Sequence, residues 1–115
     1  MKIVKKENAK NIRNSDTSEL LEYSIDLRDK DIDFCINTIS GRYPEQGYCT
    51  NQEVKEICYI LEGEGTINKN DETMSFKQGD VILIEKEEIY YWNGNCKIIM
   101  ICTPAWYKEQ CKLID

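Results

Sequence analysis

Histidine is absent from this chain of 115 residues. Histidine is the commonest general base near neutral pH and the commonest metal ligand in proteins. Its absence excludes the Ser-His and Cys-His arrangements used in nucleophilic catalysis, and it excludes most catalytic zinc sites. Any chemistry at a site in this chain must therefore come from other side chains.

Long apolar runs are also missing. The N-terminal segment MKIVKKENAKNIRN has no apolar core of signal-peptide length, and no stretch approaches the ~20 apolar residues of a membrane span. We therefore expect a cytoplasmic protein without a membrane partner. No CxxC pair occurs, which argues against thioredoxin-like chemistry and the common zinc modules. In that compartment we expect reduced thiols at all six cysteines: Cys35, Cys49, Cys58, Cys96, Cys102 and Cys111.

The charge balance is acidic and lacks a basic cluster. Fifteen Lys and Arg residues are scattered among 21 Asp and Glu residues, which gives a formal net charge of -6. Nucleic-acid binding needs a clustered basic face that can neutralise phosphates. We therefore expect no nucleic-acid partner, and the acidity itself is most simply a matter of solubility.

The pattern along the chain predicts an all-β domain. Short alternating or apolar segments, separated by polar and glycine-containing turns, predict about eight strands and no convincing helix. Asn93-Gly94-Asn95 predicts a hairpin turn between two of these strands. The length fits one domain over 1–115, with an N-terminal arm at 1–17, a barrel at 18–103 and a C-terminal tail at 104–115. The expected strands cover 2–5, 20–27, 34–39, 56–62, a hairpin around 68–71, 81–84, 89–93 and 96–102, and residues 105–112 could form a helical turn.

Glu56 opens the most apolar of the expected strands. The residues that follow it, ICYIL, are apolar on both faces, so this strand should lie inside a sandwich or barrel. A carboxylate in that position either faces water at the end of the strand or projects into a cavity. A surface Glu56 would be solvated or paired with Lys55 or Lys97, and both alternatives remain open from the sequence.

The spacing around Glu56 resembles that of the cupins. Their first motif is G-x5-HxH-x3,4-E-x6-G, and here Glu56 is followed after six residues by Gly63. Their second motif is G-x5-PxG-x2-H-x3-N, and counting from Gly79 puts Tyr90 at the position of its histidine. The resemblance covers roughly residues 33 to 107 and is closest to small single-domain bacterial cupins. It implies a double-stranded β-helix, or jelly-roll, barrel.

The resemblance also implies where a metal would have been held. In metal-binding cupins three histidines and the glutamate hold a divalent ion, and only Glu56 is retained here. With the shorter spacer, Thr50 and Gln52 stand at the first two histidine positions, and with the longer spacer Cys49 and Asn51 do. Such a set is a poor site for iron, zinc, nickel or manganese. We therefore predict a barrel with no metal and no cofactor.

Strand alternation then predicts the lining of a pocket. Strict alternation puts Thr50, Gln52 and Glu56 on one face, while Tyr90 and Trp92 share another. The face of Cys96, Ile98, Met100 and Cys102 should point inward because Lys97 lies opposite. Apolar and aromatic walls with a few convergent polar groups are typical of small-molecule pockets. The predicted ligand-binding residues are Thr50, Gln52, Glu56, Tyr90, Trp92 and Cys102.

Three functions are compatible with these residues. The first is a metal-independent cupin that binds a small molecule in its barrel. The second is a metal-independent isomerase, epimerase or lyase with Glu56 as catalytic base and Tyr90 as catalytic acid. The third is a structural or interaction module whose cavity is filled by its own side chains, with Tyr90 as an ordinary core residue. We also expect a homodimer, because a strand that is apolar on both sides needs cover on both. The sequence specifies neither the ligand nor a reaction.

Overall fold

The computed structural model describes residues 1–115 and is almost entirely β-structure. The helical parts are the four-residue helix α1 (Ser24–Leu27) and two 3-10 turns, Lys6–Asn8 and Lys108–Gln110. None of these has the length and apolarity needed to cross a bilayer. The all-β class is confirmed, with nine strands: β1 (Lys10–Ser15), β2 (Ser18–Glu22), β3 (Asp33–Tyr43), β4 (Tyr48–Asn51), β5 (Lys55–Lys69), β6 (Glu72–Lys77), β7 (Val81–Ile84), β8 (Ile89–Thr103) and β9 (Cys111–Ile114).

Strand β8 is the centre of the sheet. It pairs antiparallel with β3 along one edge and with β5 along the other, and its first two residues pair with β4. The sheet continues from β3 through β2 to β1 and from β4 to β9, while β5 also pairs with β6 and β7. Because these long strands are shared between neighbours, the sheet curls around one interior, as in a jelly-roll barrel.

The interior is built by the alternation of β5 and β8. The even-numbered residues of β8 that flank Gly94 are buried, and on β5 Glu56, Cys58 and Ile60 are buried with them. The predicted inward face of Cys96, Ile98, Met100 and Cys102 is therefore confirmed. One hydrophobic cluster of 12 buried residues fills the closed part of the barrel, including Trp92, Ile98 and Phe76.

The predicted hairpin at Asn93-Gly94-Asn95 is wrong, because β8 runs through it without a turn. Gly94 lies between Gly41 of β3 and Gly65 of β5, so three strands approach closely where no side chain intervenes. A Cβ on Gly94 would lie 2.5 Å from the Glu64 carbonyl oxygen and 2.6 Å from the Gly65 Cα. Glycine is therefore needed at position 94 because the backbones of neighbouring strands pack closely there, and not because the chain turns.

The ends of the chain also differ from expectation. Residues 2–5 form no strand, whereas β1 lies within the expected arm and pairs with β2. The expected strand over 20–27 ends at Glu22, and α1 follows it. The tail 105–112 contains the 3-10 turn and then β9, which pairs with β4. Both flanking segments thus have partners in the sheet, because each places backbone hydrogen-bonding groups beside an edge that would otherwise be unpaired.

The outer surface of the sheet carries exposed apolar side chains. On β5, Ile57 and Tyr59 are 45% and 42% exposed, and they pair in register with Leu83 and Val81 of β7. We call Ile57, Tyr59, Leu61, Val81 and Leu83 the outer apolar face. Contiguous exposed apolar groups of this kind are uncommon on monomeric proteins.

Candidate functional site

A cavity of about 260 Å³ opens inside the curled sheet. It lies between the inward faces of β3, β5 and β8, with β1, β2, β4 and the C-terminal segment around it. Most of its lining is apolar or aromatic, and its polar side chains include three carboxyls, three amides and the phenols of Tyr43 and Tyr90. The lining residues are Ile12, Asn14, Leu20, Glu22, Asp33, Phe34, Cys35, Asn37, Tyr43, Cys49, Asn51, Glu56, Tyr90, Trp92, Met100, Cys102, Trp106 and Cys111.

Glu56 is a buried carboxyl with three donors around it. Its Oε2 accepts hydrogen bonds from the Tyr90 hydroxyl at 3.3 Å and from Asn51 Nδ2 at 3.4 Å, and its Oε1 accepts from Cys102 Sγ at 3.2 Å. Glu56 is only 7% exposed. Burial raises the pKa of its carboxyl more than the hydrogen bonds from Cys102 and Tyr90 lower it. The result is a carboxyl with an increased affinity for a proton, held against a cavity wall.

The Tyr90 hydroxyl is kept protonated by its surroundings. Burial, and then the charge of Glu56, raise the pKa of Tyr90 well above its ordinary value. The ring packs edge-on to Trp92 with centroids 6.3 Å apart, and Trp92 packs edge-on to Phe76 in turn. This aromatic stack fixes the phenol, so Tyr90 presents a hydrogen-bond donor beside the Glu56 acceptor.

Asn51 is oriented by the C-terminal segment. Its Oδ1 accepts hydrogen bonds from Gln110 Nε2 at 2.8 Å and from Trp106 Nε1 at 3.2 Å. Because both donors bind the oxygen, the amide nitrogen is turned toward Glu56. Gln110 is buried, and its Oε1 also accepts from the backbone N–H groups of Glu53 and Val54. The last turn of the chain thus fixes both the loop before β5 and the amide beside the carboxyl.

A second pair of carboxyls lies elsewhere in the lining. Glu22 is at the end of β2, Asp33 begins β3, and burial raises the pKa of both groups. The charge of Asp33 raises the pKa of Glu22 further, which indicates that the two are close enough to interact. No lysine or arginine is among the lining residues.

The thiols of the cavity are ordinary buried thiols. Burial raises the pKa of Cys49 to about 12 and raises that of Cys102 well above its usual range. Cys49 donates a weak hydrogen bond to the Tyr90 carbonyl oxygen at 3.5 Å. A nucleophilic cysteine needs a lowered pKa, so these groups act as small apolar side chains.

The structure brings four of the six predicted ligand-binding residues together and separates the other two. Glu56, Tyr90, Trp92 and Cys102 line the cavity. Thr50 is buried outside the lining with a hydroxyl that has no partner, and Gln52 is exposed. Their assignment to the pocket is corrected by this placement.

The longer motif spacer accounts for that correction, because Cys49 and Asn51 line the cavity instead. A bend at residues 52–53, between β4 and β5, interrupts the alternation of side chains. Alternation across two strands holds only if no irregular residues intervene. Counting inward positions back from Glu56 in steps of two therefore gave the wrong parity.

The donor set at the cupin metal positions does not fit a divalent transition metal. Those positions hold Cys49, Asn51, Glu56 and Tyr90: one carboxyl, one amide, and a thiol and a phenol whose pKa values are raised by burial. Thiolate and carboxylate ligands must lose their protons to bind a metal, and burial here opposes that loss. No group of three or more Cys, Asp or Glu side chains has the arrangement of a metal site.

Sequence reasoning missed Glu22, Asp33, Trp106 and Gln110. The first two lie more than 20 residues before Glu56 and the last two lie in the tail, so no motif spacing connected them with Glu56. One signal was available: large apolar groups in a terminal segment, such as Trp106, are unfavourable in water and should dock on the barrel.

A small antiparallel barrel with one inward glutamate, positioned as described, defines a cupin-type domain. The chain belongs to the EutQ-like cupin domain family, whose model matches residues 45–105. It is a small single cupin domain. No curated protein matches its sequence.

Solved structures are similar to the whole chain. Streptomyces Pac13, described as a unique nucleoside dehydratase, superposes with a TM-score of 0.87 at 14% identity over 99% of this chain and 91% of that one. A Thermotoga maritima protein described as a predicted oxalate decarboxylase gives a TM-score of 0.70 at 20% identity, over 90% and 99% of the two chains. The polyketide cyclase RemF from Streptomyces resistomycificus gives 0.69 at 15% identity, over 96% and 89%. At these identities the similarity is one of fold.

Proposed function

We propose that this chain is a small-molecule-binding cupin whose ligand occupies the barrel cavity beside Glu56, Asn51 and Tyr90. The observation that carries the proposal is a cavity of about 260 Å³ with a buried carboxyl in its wall. A buried carboxyl is unfavourable for folding unless it is compensated, so its presence in an open cavity favours a binding role. A module filled by its own side chains would not retain this space.

The chemistry of the wall indicates how a ligand would be held. Trp92 and Trp106 offer apolar and aromatic surface, Cys102 and Cys49 fill space next to it, and Glu56 offers hydrogen-bond acceptors. Streptomyces Pac13 has been solved with uridine, in the form of a variant. A planar base attached to a hydroxylated ring is the kind of ligand that aromatic walls with convergent polar groups suit. Uridine is therefore the first probe, not an assigned ligand.

A metal-independent enzyme is the second candidate, and the hydrogen bond between Tyr90 and Glu56 favours it. The two groups lie 3.3 Å apart; one has an increased affinity for a proton, and the other keeps its proton at any ordinary pH. Separated protonation roles in one pair are typical of acid and base partners. We propose Glu56 as the base and Tyr90 as the acid.

Such a pair could eliminate water from a carbonyl compound with a hydroxyl on the β-carbon. The Glu56 carboxylate would take a proton from the carbon next to the carbonyl, and that electron pair would form the new C=C bond as the C–O bond breaks. Tyr90 would give its proton to the departing hydroxide, which leaves as water. The proton on Glu56 could then return to Tyr90 across their hydrogen bond, restoring both groups. An isomerase or epimerase would use the same first step and return the proton to carbon.

The test combines binding with turnover. Wild type and Glu56→Gln would be screened by thermal shift and calorimetry against uridine and a panel of small hydroxylated and carbonyl metabolites. Glu64→Gln is the matched control, because Glu64 lies on the same strand but is exposed. We expect at least one compound to raise the melting temperature of wild type and of the control.

Turnover separates the two candidates. If the chain is an enzyme, mass spectrometry will detect loss of water or an isomerised product with wild type, and Glu56→Gln will bind the compound without converting it. If it only binds, neither variant will give product. If no compound of the panel binds the wild type, the proposed function is contradicted.

A homodimer remains part of the proposal. The outer apolar face lies on the side of β5 opposite to the cavity, so a partner there would leave the pocket open. The ion pairs Lys55–Glu85 and Lys97–Glu62 flank it at its two ends, each offering both signs of charge. A two-fold axis through the face would bring the charges of one end against those of the other.

A further inference from the structure

The charged groups that line the cavity are all acidic. Glu22, Asp33 and Glu56 contribute carboxyls, and no lysine or arginine lines the cavity with them. Arg42, which precedes a lining residue, is turned elsewhere: its guanidinium donates to the carbonyl oxygens of Pro44 and Gly47 and stacks 3.8 Å over the ring of Tyr91. The cavity therefore has no counter-charge of its own.

Asp33 has acceptor capacity to spare. It is 6% exposed, it lines the cavity, and its protein donors are backbone N–H groups, that of Phe34 at 2.8 Å and that of Trp106. No side chain donates to it. A carboxylate has about four lone-pair positions, so acceptor sites remain available to a ligand. Glu22 accepts a hydrogen bond from the backbone N–H of Ser24 at 3.4 Å, and its other donors, the Ser24 hydroxyl and the Tyr23 N–H, are also local.

We propose that Glu22 and Asp33 determine the charge of the ligand, so that the cavity accepts uncharged or positively charged polar molecules and rejects phosphorylated or carboxylated ones. This rests on the proposed function, since it concerns the same cavity. Hydroxyl and amine groups can donate to the free carboxyl oxygens. A phosphate can donate nothing useful to them and meets like charge on several sides.

Neutral donors do not remove the conflict for an anion. Phosphate sites in proteins use lysine, arginine, a helix N-terminus or a set of converging backbone N–H groups. The only α-helix here has four residues, and two of the three amides in the lining have other partners: Asn37 pairs with Ser18 and Met100, and Asn51 pairs as described. The third, Asn14, is an exposed residue, so its amide is solvated. Within a cavity of this size, like charges interact at reduced dielectric, where repulsion weakens binding by about tenfold or more.

The experiment compares three compounds that share one skeleton and differ in charge. Uridine is neutral, 5′-amino-5′-deoxyuridine is cationic, and uridine 5′-monophosphate is anionic. Calorimetry and saturation-transfer NMR would measure each with wild type. We expect the amine to bind as tightly as uridine or more tightly, and the phosphate to bind about tenfold or more weakly than uridine. If this skeleton does not bind, the same alcohol, amine and phosphate series is built on whichever compound the panel identifies.

Two variants assign the effect to its residues. Glu22→Gln and Asp33→Asn keep the shape of each side chain and remove its charge. We expect the pair of substitutions to reduce the discrimination against phosphate several-fold and to remove any preference for the amine. Glu64→Gln removes the same charge outside the cavity and should leave the three affinities in their original ratio.

The outcomes separate this inference from the proposed function. Equal or tighter binding of the phosphate to wild type would overturn the inference and leave a ligand-binding cavity in place. Discrimination that persists unchanged in the double variant would overturn the assignment to Glu22 and Asp33. If no compound of any charge binds the wild type, the proposed function fails, and the inference fails with it.

Discussion

The inward and outward faces of β5 differ in burial, and the difference is the opposite of what the polarity of their side chains would suggest. Inward, Glu56, Cys58 and Ile60 are buried, and one of them is an acid. Outward, Ile57 and Tyr59 are wholly or largely apolar and yet more than 40% exposed. The face with the acid is enclosed, and the face that carries Ile57 and Tyr59 is in water. A buried acid and an exposed apolar surface each need a partner, so the comparison points to a ligand inside and a protein outside.

The difference in burial between the two faces is tested most directly by truncating an isoleucine on each of them. Ile60→Ala removes a fully buried side chain and should lower the free energy of unfolding by about 2–5 kcal/mol. Ile57→Ala, on the same strand, should cost less than about 1 kcal/mol at low protein concentration. Urea denaturation of both variants measures the difference. Equal losses would mean that the outer face is as well packed as the core.

The outer face is tested by placing charge in it. Leu83→Lys puts an ammonium group where two copies would meet, and we expect the dimer dissociation constant to rise by about 100-fold or more. Light scattering during size-exclusion chromatography would then detect a monomer at micromolar concentration, with ligand binding retained. Glu45→Lys adds a lysine in an exposed loop away from this face and should leave the dimer intact. A monomeric wild type would contradict the dimer.

The pH dependence of stability tests the buried carboxyl on the inward face of β5. Burial raises the pKa of Glu56 above its ordinary value of 4.5, so the folded protein holds this proton more tightly than the unfolded chain. The stabilisation is fully present below that ordinary value and is lost as the pH rises through the raised one. Glu56→Gln removes this loss, and its advantage over wild type should grow with pH to about 0.5–2 kcal/mol.

Glu22 and Asp33 have raised pKa values of the same sign and remain in both proteins, so the difference between wild type and Glu56→Gln isolates position 56. Urea denaturation at several pH values from about 5 to 8 measures it. A wild type whose stability increases with pH relative to the variant would mean that Glu56 is ionised at little cost.

Features that lie within one strand could be predicted from the sequence, whereas features that depend on the pairing of distant strands could not. The interval from Glu56 to Gly63 and the alternation of β8 identified the fold and its inward residues, because both follow from the geometry of single strands. Thr50 and Gln52 were misassigned because the irregular backbone at 52–54, between β4 and β5, changed the parity of inward-facing positions. The glycine at 94 was misread because its role depends on Gly41 and Gly65, which no local window contains.

The site was predictable in part for the same reason. Alternation put Tyr90 and Trp92 on one face of the expected strand 89–93, and it separately put Cys102 on the inward face of the expected strand 96–102. Glu22 and Asp33 reach the cavity, and Gln110 reaches Asn51, only through the pairing of β2 with β3 and of β9 with β4. Those pairings are set by the closure of the whole sheet.

The hydrogen bonds of Asn51 have a consequence for biosynthesis. Its oxygen is held by Trp106 and Gln110, so the amide beside Glu56 takes its orientation from residues translated more than 50 positions later. While the ribosome still covers that segment, the nascent chain has a barrel wall missing and a carboxyl without one of its donors. Competence to bind would then arise only once residues 106–110 have emerged, after β1 to β8.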